Sequence, residues 1–369
     1  MSKKIADACN ISTGKLDANQ AVSGGEFPFF TCAEFPDRID HYAFDDDVVL
    51  VAGNNARGNF HVSKYKGKFN AYQRTYVLTA KQGYDIDYIY YALKLELKRL
   101  REKSQGSQTK FLTMPIIKDI SLSDIVESEQ TNIARVLKLL DEKIAINNHI
   151  NTELEAMAKT LYDYWFVQFD FPDANGKPYK NSGGKMEHNP ILKREIPADW
   201  ENCKLSELIK LEYGKPLKSE NRTGSGYPVF GSSGIVGFHN DYFVEGPGII
   251  IGRKGTVGKV NFAFDNFYPI DTSYYVSSKK EISIIFLYYL ISSLGLECMN
   301  SDSAVPGLNR ETALGLSVVS APLELISKYH EYAEVWFEKK KIIINENNEL
   351  IKLRDWLLPL LMNGQVTVR

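Results

Sequence analysis

The chain has 369 residues, of which 44% are hydrophobic and 24% are charged, and its formal net charge at pH 7 is −2. These values are ordinary for globular proteins, and the length leaves room for two or three domains. The near-neutral balance excludes a surface coated with basic residues, so any nucleic-acid surface must be local or completed by a partner.

Cysteine usage and the lack of long apolar segments predict a cytoplasmic protein. The four cysteines are far apart and form no C-x-x-C pair, which favours reduced thiols over a disulfide framework or a zinc site. The first residues include Lys3, Lys4 and Asp7 and lack the apolar core of a signal peptide. No apolar run is long enough to span a membrane.

Residues 1–125 are predicted to form a first globular domain rich in β-structure. Short apolar runs, such as residues 48–51, alternate with turn residues, which is typical of strands. Residues 87–100 place Ile89, Leu93 and Leu97 on one side, which predicts a helix.

Residues 126–167 are predicted to form one long central helix. Between positions 130 and 166, apolar residues recur at three- to four-residue steps without an intervening proline or glycine. At about 1.5 Å per residue the helix would be roughly 55 Å long, long enough to act as a spacer. Asn147 and Asn151 fall near its apolar seam, where a polar side chain can fix the register of paired helices.

The rest of the chain predicts a connector, a second domain and a second long helix. Residues 168–199 lack helical periodicity and contain several prolines and glycines, so we expect a partly extended connector. Residues 200–320 are predicted to form a second globular domain. Residues 321–369 repeat the apolar stripe of the central helix.

The second half of the chain repeats the first. At an offset of 200, Gly14-Lys15 aligns with Gly214-Lys215, and residues 49–52 align with residues 249–252. At an offset of 196, residues 140–143 align with residues 336–339 of the second helix. A repeat of this length indicates duplication of a whole unit. Because the residues between matched positions differ freely, the two copies suggest one task carried out on two different targets.

Four segments carry a family resemblance. They are residues 227–234 (Tyr-Pro-Val-Phe-Gly-Ser-Ser-Gly), residues 248–258 (Gly-Ile-Ile-Ile-Gly-Arg-Lys-Gly-Thr-Val-Gly), residues 154–166 and residues 175–180. With the duplication, they make essentially the whole chain resemble the specificity subunit of a type I restriction-modification enzyme. In the first domain, Ala-Gly-Asn-Asn-Ala-Arg-Gly at residues 52–58 replaces the glycine-rich residues 252–258.

The resemblance implies a fold, a function and partners. The fold would be α/β (α+β), with two homologous target-recognition domains separated by two long antiparallel coiled-coil helices in a pseudo-twofold internal repeat. Each domain would read one half of a bipartite double-stranded DNA target, and the helices would fix the gap and hold two methylase subunits. Those subunits would use S-adenosylmethionine to methylate adenine, and motor-nuclease subunits would add ATP- and Mg-dependent cleavage. The chain itself would carry no cofactor and would not be an enzyme.

The residues themselves form no catalytic constellation. The N-P-P-Y methylase motif is absent, and Asn189-Pro190-Ile191 does not fit it. Residues 252–259 have the wrong glycine spacing for a P-loop, and Val260 follows where a magnesium-binding Ser or Thr is required, which favours a β-turn. The six histidines show no metal-ligand spacing. We therefore expect no catalytic site and no metal site.

Basic and polar side chains of the two domains are the candidates for DNA contact. Arginine and lysine beside glycine and serine allow close approach to phosphates and reading of guanine, while asparagine can read adenine. Arg57 and the Arg253-Lys254 pair rank highest because they lie on matched loops. Lys64 begins an alternating row of lysines that indicates either a phosphate-facing ridge or an ordinary solvated face. The full set is Lys15, Asn54, Asn55, Arg57, Lys64, Arg74, Lys110, Lys215, Arg222, Ser232, Ser233, Arg253, Lys254, Lys259, Tyr274 and Arg310.

Large apolar side chains on the long helices are the candidates for partner binding. They supply more bulk than two packed helices need, and any that are exposed would mark a partner surface. A plain intramolecular coiled coil is the alternative. The set is Tyr162, Trp165, Phe166, Trp336, Trp356 and Leu360.

Two other functions stay open at this point. A non-enzymatic scaffold whose duplicated domains bind other proteins would keep the loops of both domains alike, whereas these loops diverge. The same chain could also serve a methylation-only or type II-like system, because a specificity chain does not reveal which nuclease it works with.

Overall fold

The structure is a computed structural model that describes residues 3–55, 60–103, 110–299 and 307–368. The chain forms two compact units, one made of Met1–Asn148 with Asn345–Arg369 and the other of His149–Ile344. Each unit therefore combines one β-rich domain with a segment of each long helix. No helix in the described ranges is long and apolar enough to cross a membrane.

The first unit contains a six-stranded sheet in the order β2-β8-β5-β7-β3-β4 and two small two-stranded sheets, β1-β10 and β6-β9. Its strands are β1 (Lys3–Lys4), β2 (Cys9–Thr13), β3 (Phe27–Phe30), β4 (Asp37–Ile39), β5 (Phe44–Ala52), β6 (Asn54–Asn55), β7 (Val62–Ala71), β8 (Thr75–Ala80), β9 (Lys110–Phe111) and β10 (Ser121–Leu122). Its helices are α1 (Ile5–Ala8), α2 (Ile86–Lys103), α3 (Met114–Lys118) and the first part of α4 (Glu127–Tyr162).

The second unit starts within α4, which ends in a π-helical turn, Asp163–Val167. Its sheets have the orders β11-β12, β13-β21, β14-β20-β17-β18 and β16-β15-β19. The strands are β11 (Met186–Asn189), β12 (Arg194–Pro197), β13 (Glu201–Lys204), β14 (Ile209–Tyr213), β15 (Tyr227–Gly231), β16 (Gly234–His239), β17 (Gly248–Gly252), β18 (Val260–Ala263), β19 (Tyr268–Pro269), β20 (Ser273–Ser278) and β21 (Ser317–Ser320). The helices are α5 (Leu205–Leu208), α6 (Ile284–Ser292), α7 (Arg310–Leu314) and α8 (Leu323–Met362), whose last part belongs to the first unit.

The predicted duplication and fold class are confirmed, because the two domains repeat the order of their main elements and also repeat individual hydrogen bonds. The Tyr76 hydroxyl donates to the Leu112 carbonyl over 2.9 Å, and the Tyr274 hydroxyl donates to the Leu308 carbonyl over 3.2 Å. Among the described residues, the sheets differ in that β7 corresponds to the two separate strands β18 and β19 of the second copy, and in that β11-β12 has no counterpart in the first unit.

The aligned glycines Gly14 and Gly214 have a steric reason to match. A Cβ atom on Gly14 would lie 1.9 Å from the Ala71 carbonyl oxygen, and one on Gly214 would lie 2.2 Å from the Ile270 carbonyl oxygen. Such distances are far below van der Waals contact, so only glycine fits at either position.

The central strand of each domain is buried on both faces. In β5, Val49 and Val51 join the core that contains α2, while Val48 and Leu50 join a second core on the opposite face. Side chains alternate across a strand, so a strand covered on both faces has a continuous apolar run. This explains the apolar segment predicted as a strand from residues 48–51.

Each core also takes in one segment from each long helix. In the first unit, Ile133 and Leu137 of α4 and Leu361 and Met362 of α8 are buried with the sheet and α2. In the second unit, the residues related to these four by an offset of 196 are also buried, and each lies on the other long helix. These residues are Tyr329 and Ala333 of α8 and Trp165 and Phe166 at the end of the first long helix.

The long helices run antiparallel in both units, which confirms that prediction. In the first unit Asp141 accepts from Arg354 over 2.7 Å, and further along α4 the amides of Asn147 and Asn347 are bonded over 2.8 Å. In the second unit Glu155 pairs with Lys340, and the Ala158 carbonyl accepts from the Tyr329 hydroxyl over 3.1 Å. Partners of successive α4 residues thus come from successively earlier positions of α8.

Candidate nucleic-acid interface and helix surface

Two turns of the second domain pack together at one end of its sheets. Ser232 and Ser233 form the two-residue turn between β15 and β16, and residues 253–259 form the loop between β17 and β18. The Lys259 ammonium donates to the Ser233 carbonyl over 2.8 Å, and a Cβ on Gly252 would lie 2.8 Å from the Ser232 carbonyl oxygen. Because this loop joins two antiparallel strands and not a strand to a helix, the β-turn interpretation is confirmed over the P-loop.

Arg253, the first residue of this loop, lies in a cluster with two tyrosines and a second arginine. Its guanidinium carbon is 5.0 Å from the centroid of the Tyr213 ring and 5.8 Å from that of Tyr274, and Nη1 donates to the Asp271 carbonyl over 3.2 Å. The Arg310 guanidinium carbon is 5.5 Å from the same Tyr213 centroid. The structure thus brings two of the predicted DNA-contact residues onto one aromatic ring.

Tyr213 is a member of this cluster that sequence reasoning missed. The residue is 48% exposed, and its ring lies 5.1 Å from the ring of Tyr274, at an angle of 60°. The available signal was its position directly before the matched Gly214-Lys215 pair, where the first domain has Thr13.

Tyr274 is placed differently from the prediction. Only 2% of its surface is exposed, because its ring is covered by neighbouring side chains and its hydroxyl is used by the Leu308 carbonyl. Burial raises the pKa of Tyr274 to about 12, and the hydroxyl of Tyr213 adds to the shift. The buried Tyr274 ring therefore packs against Tyr213 and Arg253, and its hydroxyl is not free to contact DNA.

Two more predicted residues of the second domain lie in other surroundings. The Arg222 guanidinium donates to the carbonyls of Leu217 and Val236, and its stem packs over Gly237, so it holds the local backbone. The Lys215 ammonium lies 3.9 Å from the centroid of the Phe243 ring. Lys254 and Lys259, in contrast, are exposed on the loop between β17 and β18.

In the first domain, Lys64 is neutralised within the fold. Its ammonium pairs with Asp47 on the neighbouring strand and lies 3.2 Å from Asp87. Burial alone would lower the pKa of Lys64, but the two carboxylates outweigh it and raise the pKa. Lys66 stands opposite Asp47, and Lys68 stands opposite Asp45. The lysine row is thus matched by a row of aspartates, which favours the ordinary solvated face over a phosphate-facing ridge.

The remaining predicted residues of the first domain are spread over three strand ends. Lys15 and Arg74 are exposed after β2 and just before β8. Asn54 and Asn55 form β6, which pairs with Lys110 in β9. Arg57 lies outside the described residues.

Arg74 and Arg253 lie on opposite sides of a backbone hydrogen bond that occurs in both domains. In the first domain the Gly53 amide donates to the Arg74 carbonyl over 2.8 Å, and in the second the Arg253 amide donates to the Thr272 carbonyl over 2.9 Å. The arginine of this pair is therefore on the carbonyl side of the bond in the first domain and on the amide side in the second.

Three of the candidate partner-binding residues are not on the surface. Tyr162, Trp165 and Phe166 are 3%, 5% and 6% exposed, because they fill the core between α6, α8 and the end of α4. Their bulk is used by the domain and is not a surplus, so the expectation of an exposed surface fails for them. Trp336 and Leu360 are half-buried, whereas Trp356 is 61% exposed.

Other apolar residues on the long helices are exposed, and they match between the units. In the first unit they are Leu139, Ile146 and Leu353, and in the second unit they are Val335, Ile342 and Met157. Every member of the first set aligns with a member of the second at an offset of 196. The helices therefore expose the same apolar positions in both units, in addition to those that they bury.

Comparison with known proteins gives one consistent result. The family described as "Type I restriction modification DNA specificity domain" matches residues 1–156 and 197–312. The EcoDI specificity subunit of Escherichia coli is 29% identical over 360 residues, covering 89% of this chain and 78% of that protein. The MjaIX specificity subunit of Methanocaldococcus jannaschii is 26% identical over 317 residues, covering 78% and 71%.

A solved structure shows the same fold. The structure of the type I restriction-modification S subunit from M. genitalium superposes with a TM-score of 0.63 at 20% sequence identity, covering 98% of this chain and 96% of that one. Within the described residues, no group of histidine, cysteine or acidic side chains could hold a metal ion.

Proposed function

This chain belongs to the type I restriction-modification DNA specificity family, and on that premise we propose that its two domains each read one half of a bipartite DNA target. As a specificity subunit it is the non-catalytic component of its enzyme. The proposed outcome of target binding is adenine methylation and cleavage by partner subunits, which would bring S-adenosylmethionine, ATP and Mg.

The observation that carries this proposal is a shared scaffold with different side chains at the matched strand ends. The backbone bond between positions 53 and 74 recurs between positions 253 and 272, yet the arginine has changed places from Arg74 to Arg253. The two copies thus keep the scaffold that positions DNA-contacting side chains but differ in the side chains that it presents. Two copies that differ in this way are suited to two unlike half-sites.

The proposed contact residues are the predicted set without the residues whose side chains are used within the fold. In the second domain we favour Ser232, Ser233, Arg253, Lys254, Lys259 and Arg310 around the paired turns, and we add Lys215, which follows Tyr213 by two residues. In the first domain we favour the exposed Lys15 and Arg74, together with Asn54, Asn55, Arg57 and Lys110. Lys64, Arg222 and Tyr274 are better explained by their contacts within the fold.

We further propose that the helices hold two copies of one methylase subunit and act as the spacer between half-sites. The support is the matched exposure of apolar side chains in the two units, since identical subunits need equivalent binding surfaces. Exposed apolar patches on a folded protein commonly mark interaction sites. Trp356, exposed and aromatic, adds a residue of the type that dominates binding energies.

The test is methylation sequencing of DNA from cells that carry this chain with its methylase, compared with cells that lack only this chain. A bipartite methyladenine motif that disappears with the chain is the expected result, and it gives both half-sites at once. If the chain binds the methylase but no motif depends on it, the target-recognition proposal is wrong. If motifs appear but transformed plasmids lacking methylation are not cut, the chain serves a methylation-only system.

A further inference from the structure

We propose that Arg253, Tyr213 and Arg310 form a clamp for one backbone phosphate of the DNA half-site bound by the second domain, and that the first domain has no equivalent. This rests on the proposed function and adds to it a ligand group, a new residue and an asymmetry between the half-sites.

The first support is geometry. Both guanidinium carbons lie within 5.5 Å of the centroid of the Tyr213 ring, and Tyr213 is 48% exposed. Tyr213 is itself held by the buried Tyr274, and Arg253 is held by its bond to the Asp271 carbonyl. The two cationic groups are therefore positioned before a ligand arrives, which lowers the entropy lost on binding.

The second support is charge. Two cations on one ring repel each other, and the repulsion is relieved when an anion binds to both. Arg310 has a carboxylate partner in Glu311 at 3.1 Å. Arg253 forms no ion pair with a carboxylate of the described residues, and the hydrogen bond of its guanidinium goes to the neutral Asp271 carbonyl. DNA supplies phosphates at regular spacing, and arginine binds them with two parallel hydrogen bonds.

A phosphate suits this cluster better than a base edge. Stacking on a ring fixes the plane of a guanidinium, while its remaining N–H groups stay available at the edge. Two arginines that converge on one small anion can both donate these N–H groups to it. Reading a guanine requires only one arginine, placed in the plane of the base.

The asymmetry follows from the duplication. The positions aligned with Tyr213, Arg253 and Arg310 are Thr13, Gly53 and Met114. The alignment is secured by matching contacts, since Leu112 donates to the Gly53 carbonyl as Leu308 donates to the Arg253 carbonyl. None of the three first-domain residues carries a charge or a ring, so the clamp belongs to one half-site alone.

The experiment neutralises phosphates and arginines together. Binding of the full chain, co-purified with its methylase, is measured on duplexes that contain the bipartite motif with one backbone phosphate at a time replaced by an uncharged methylphosphonate. For the wild-type chain, one replacement in one half-site should weaken binding about tenfold, the usual size for a hydrogen bond to a charged group. For Arg253→Ala the same replacement should cause no further loss, and Arg310→Ala should be coupled to the same phosphate.

Further variants separate positioning from folding. Tyr213→Phe keeps the ring and should keep the coupling, whereas Tyr213→Ala should lose it while the thermal unfolding temperature is retained. Lys185→Ala is the matched control, because it removes an exposed cation of the same unit that pairs with Glu187. That variant should bind every duplex as the wild type does.

If every phosphate replacement costs the same in Arg253→Ala as in the wild type, the clamp is refuted. It is also refuted if Arg253→Ala relaxes the preference at one base pair and leaves phosphate effects additive, because that identifies a base reader. If the wild-type complex shows no preference for the motif, the proposed function fails, and the clamp fails with it.

Discussion

Replacing Asn347 or Asn151 with leucine should have opposite effects on the free energy of unfolding, although the two positions are equivalent in the duplication. Asn347 is 6% exposed and lies in a hydrogen-bonded group of the first unit. Its Oδ1 accepts from Asn147 over 2.8 Å, and its Nδ2 donates to Asn148 over 2.9 Å. Asn151 is 9% exposed, and within the described residues its Oδ1 is buried without a hydrogen-bond partner.

The difference has a simple origin in the sequence. Asn147 provides the donor to Asn347 in the first unit, but its equivalent in the second unit is Ile343, which has no polar group to offer Asn151. Leucine at 347 loses two hydrogen bonds at about 0.5–1.5 kcal/mol each, so it should lower the free energy of unfolding by about 1–3 kcal/mol. Leucine at 151 removes an unsatisfied acceptor and adds apolar burial, so it should raise that free energy by about 1–2 kcal/mol.

Urea denaturation followed by circular dichroism measures both changes. Since two units need not unfold together, tryptophan fluorescence should be recorded in parallel. Three of the four tryptophans lie in the second unit and Trp356 lies in the first. The alanine variants at 347 and 151 serve as controls, because they remove the same polar groups without adding volume. Destabilisation of similar size by both leucine variants would show that the unpaired oxygen of Asn151 is not a cost to the fold.

Other substitutions separate packing, partner binding and DNA contact. Phe166→Ala should lower the free energy of unfolding by about 3–5 kcal/mol in a denaturation experiment, because it empties a core position. Trp356→Ser should change stability by less than about 0.5 kcal/mol but reduce the methylase recovered in a pull-down; equal recovery would exclude this residue from the interface. Lys64→Ala should cost about 1 kcal/mol of stability, after allowance for its partial exposure, and leave DNA binding intact. Arg74→Ala should leave the stability nearly unchanged and weaken DNA binding through the first half-site only. A loss of binding at both half-sites would contradict the assignment of one domain to each half-site.

The long helices and the duplication were predictable because both depend on spacing along the chain. The recurrence of apolar residues around Leu140 and the match of Gly14 to Gly214 can be found without knowing any contact. The burial of Tyr162 was not predictable in the same way. Its environment is made by Tyr329 and α6, and it depends on which helix ends meet.

Surface roles were harder to predict because they depend on strand register. Lys64 is neutralised by Asp47, and that pairing depends on the register of β7 against β5. Tyr213 became a candidate only when β14, the loop after β17 and the start of α7 were seen to converge on its ring. Amino-acid composition does not reveal which side chains come together in the fold, and a single tyrosine is more often part of a core than of a binding site.

The division of the chain between its two units has a consequence for synthesis. The second unit is one continuous stretch, His149–Ile344, whereas the first is completed by the segment that starts at Asn345. A ribosome therefore releases the whole second unit before the residues that close the first, although the first domain emerges earlier. Until Leu361 and Met362 have left the exit tunnel, the apolar surface that receives them stays open to water. The domain that is synthesised first is thus the last to be completed, and its apolar surface stays exposed for longer during translation.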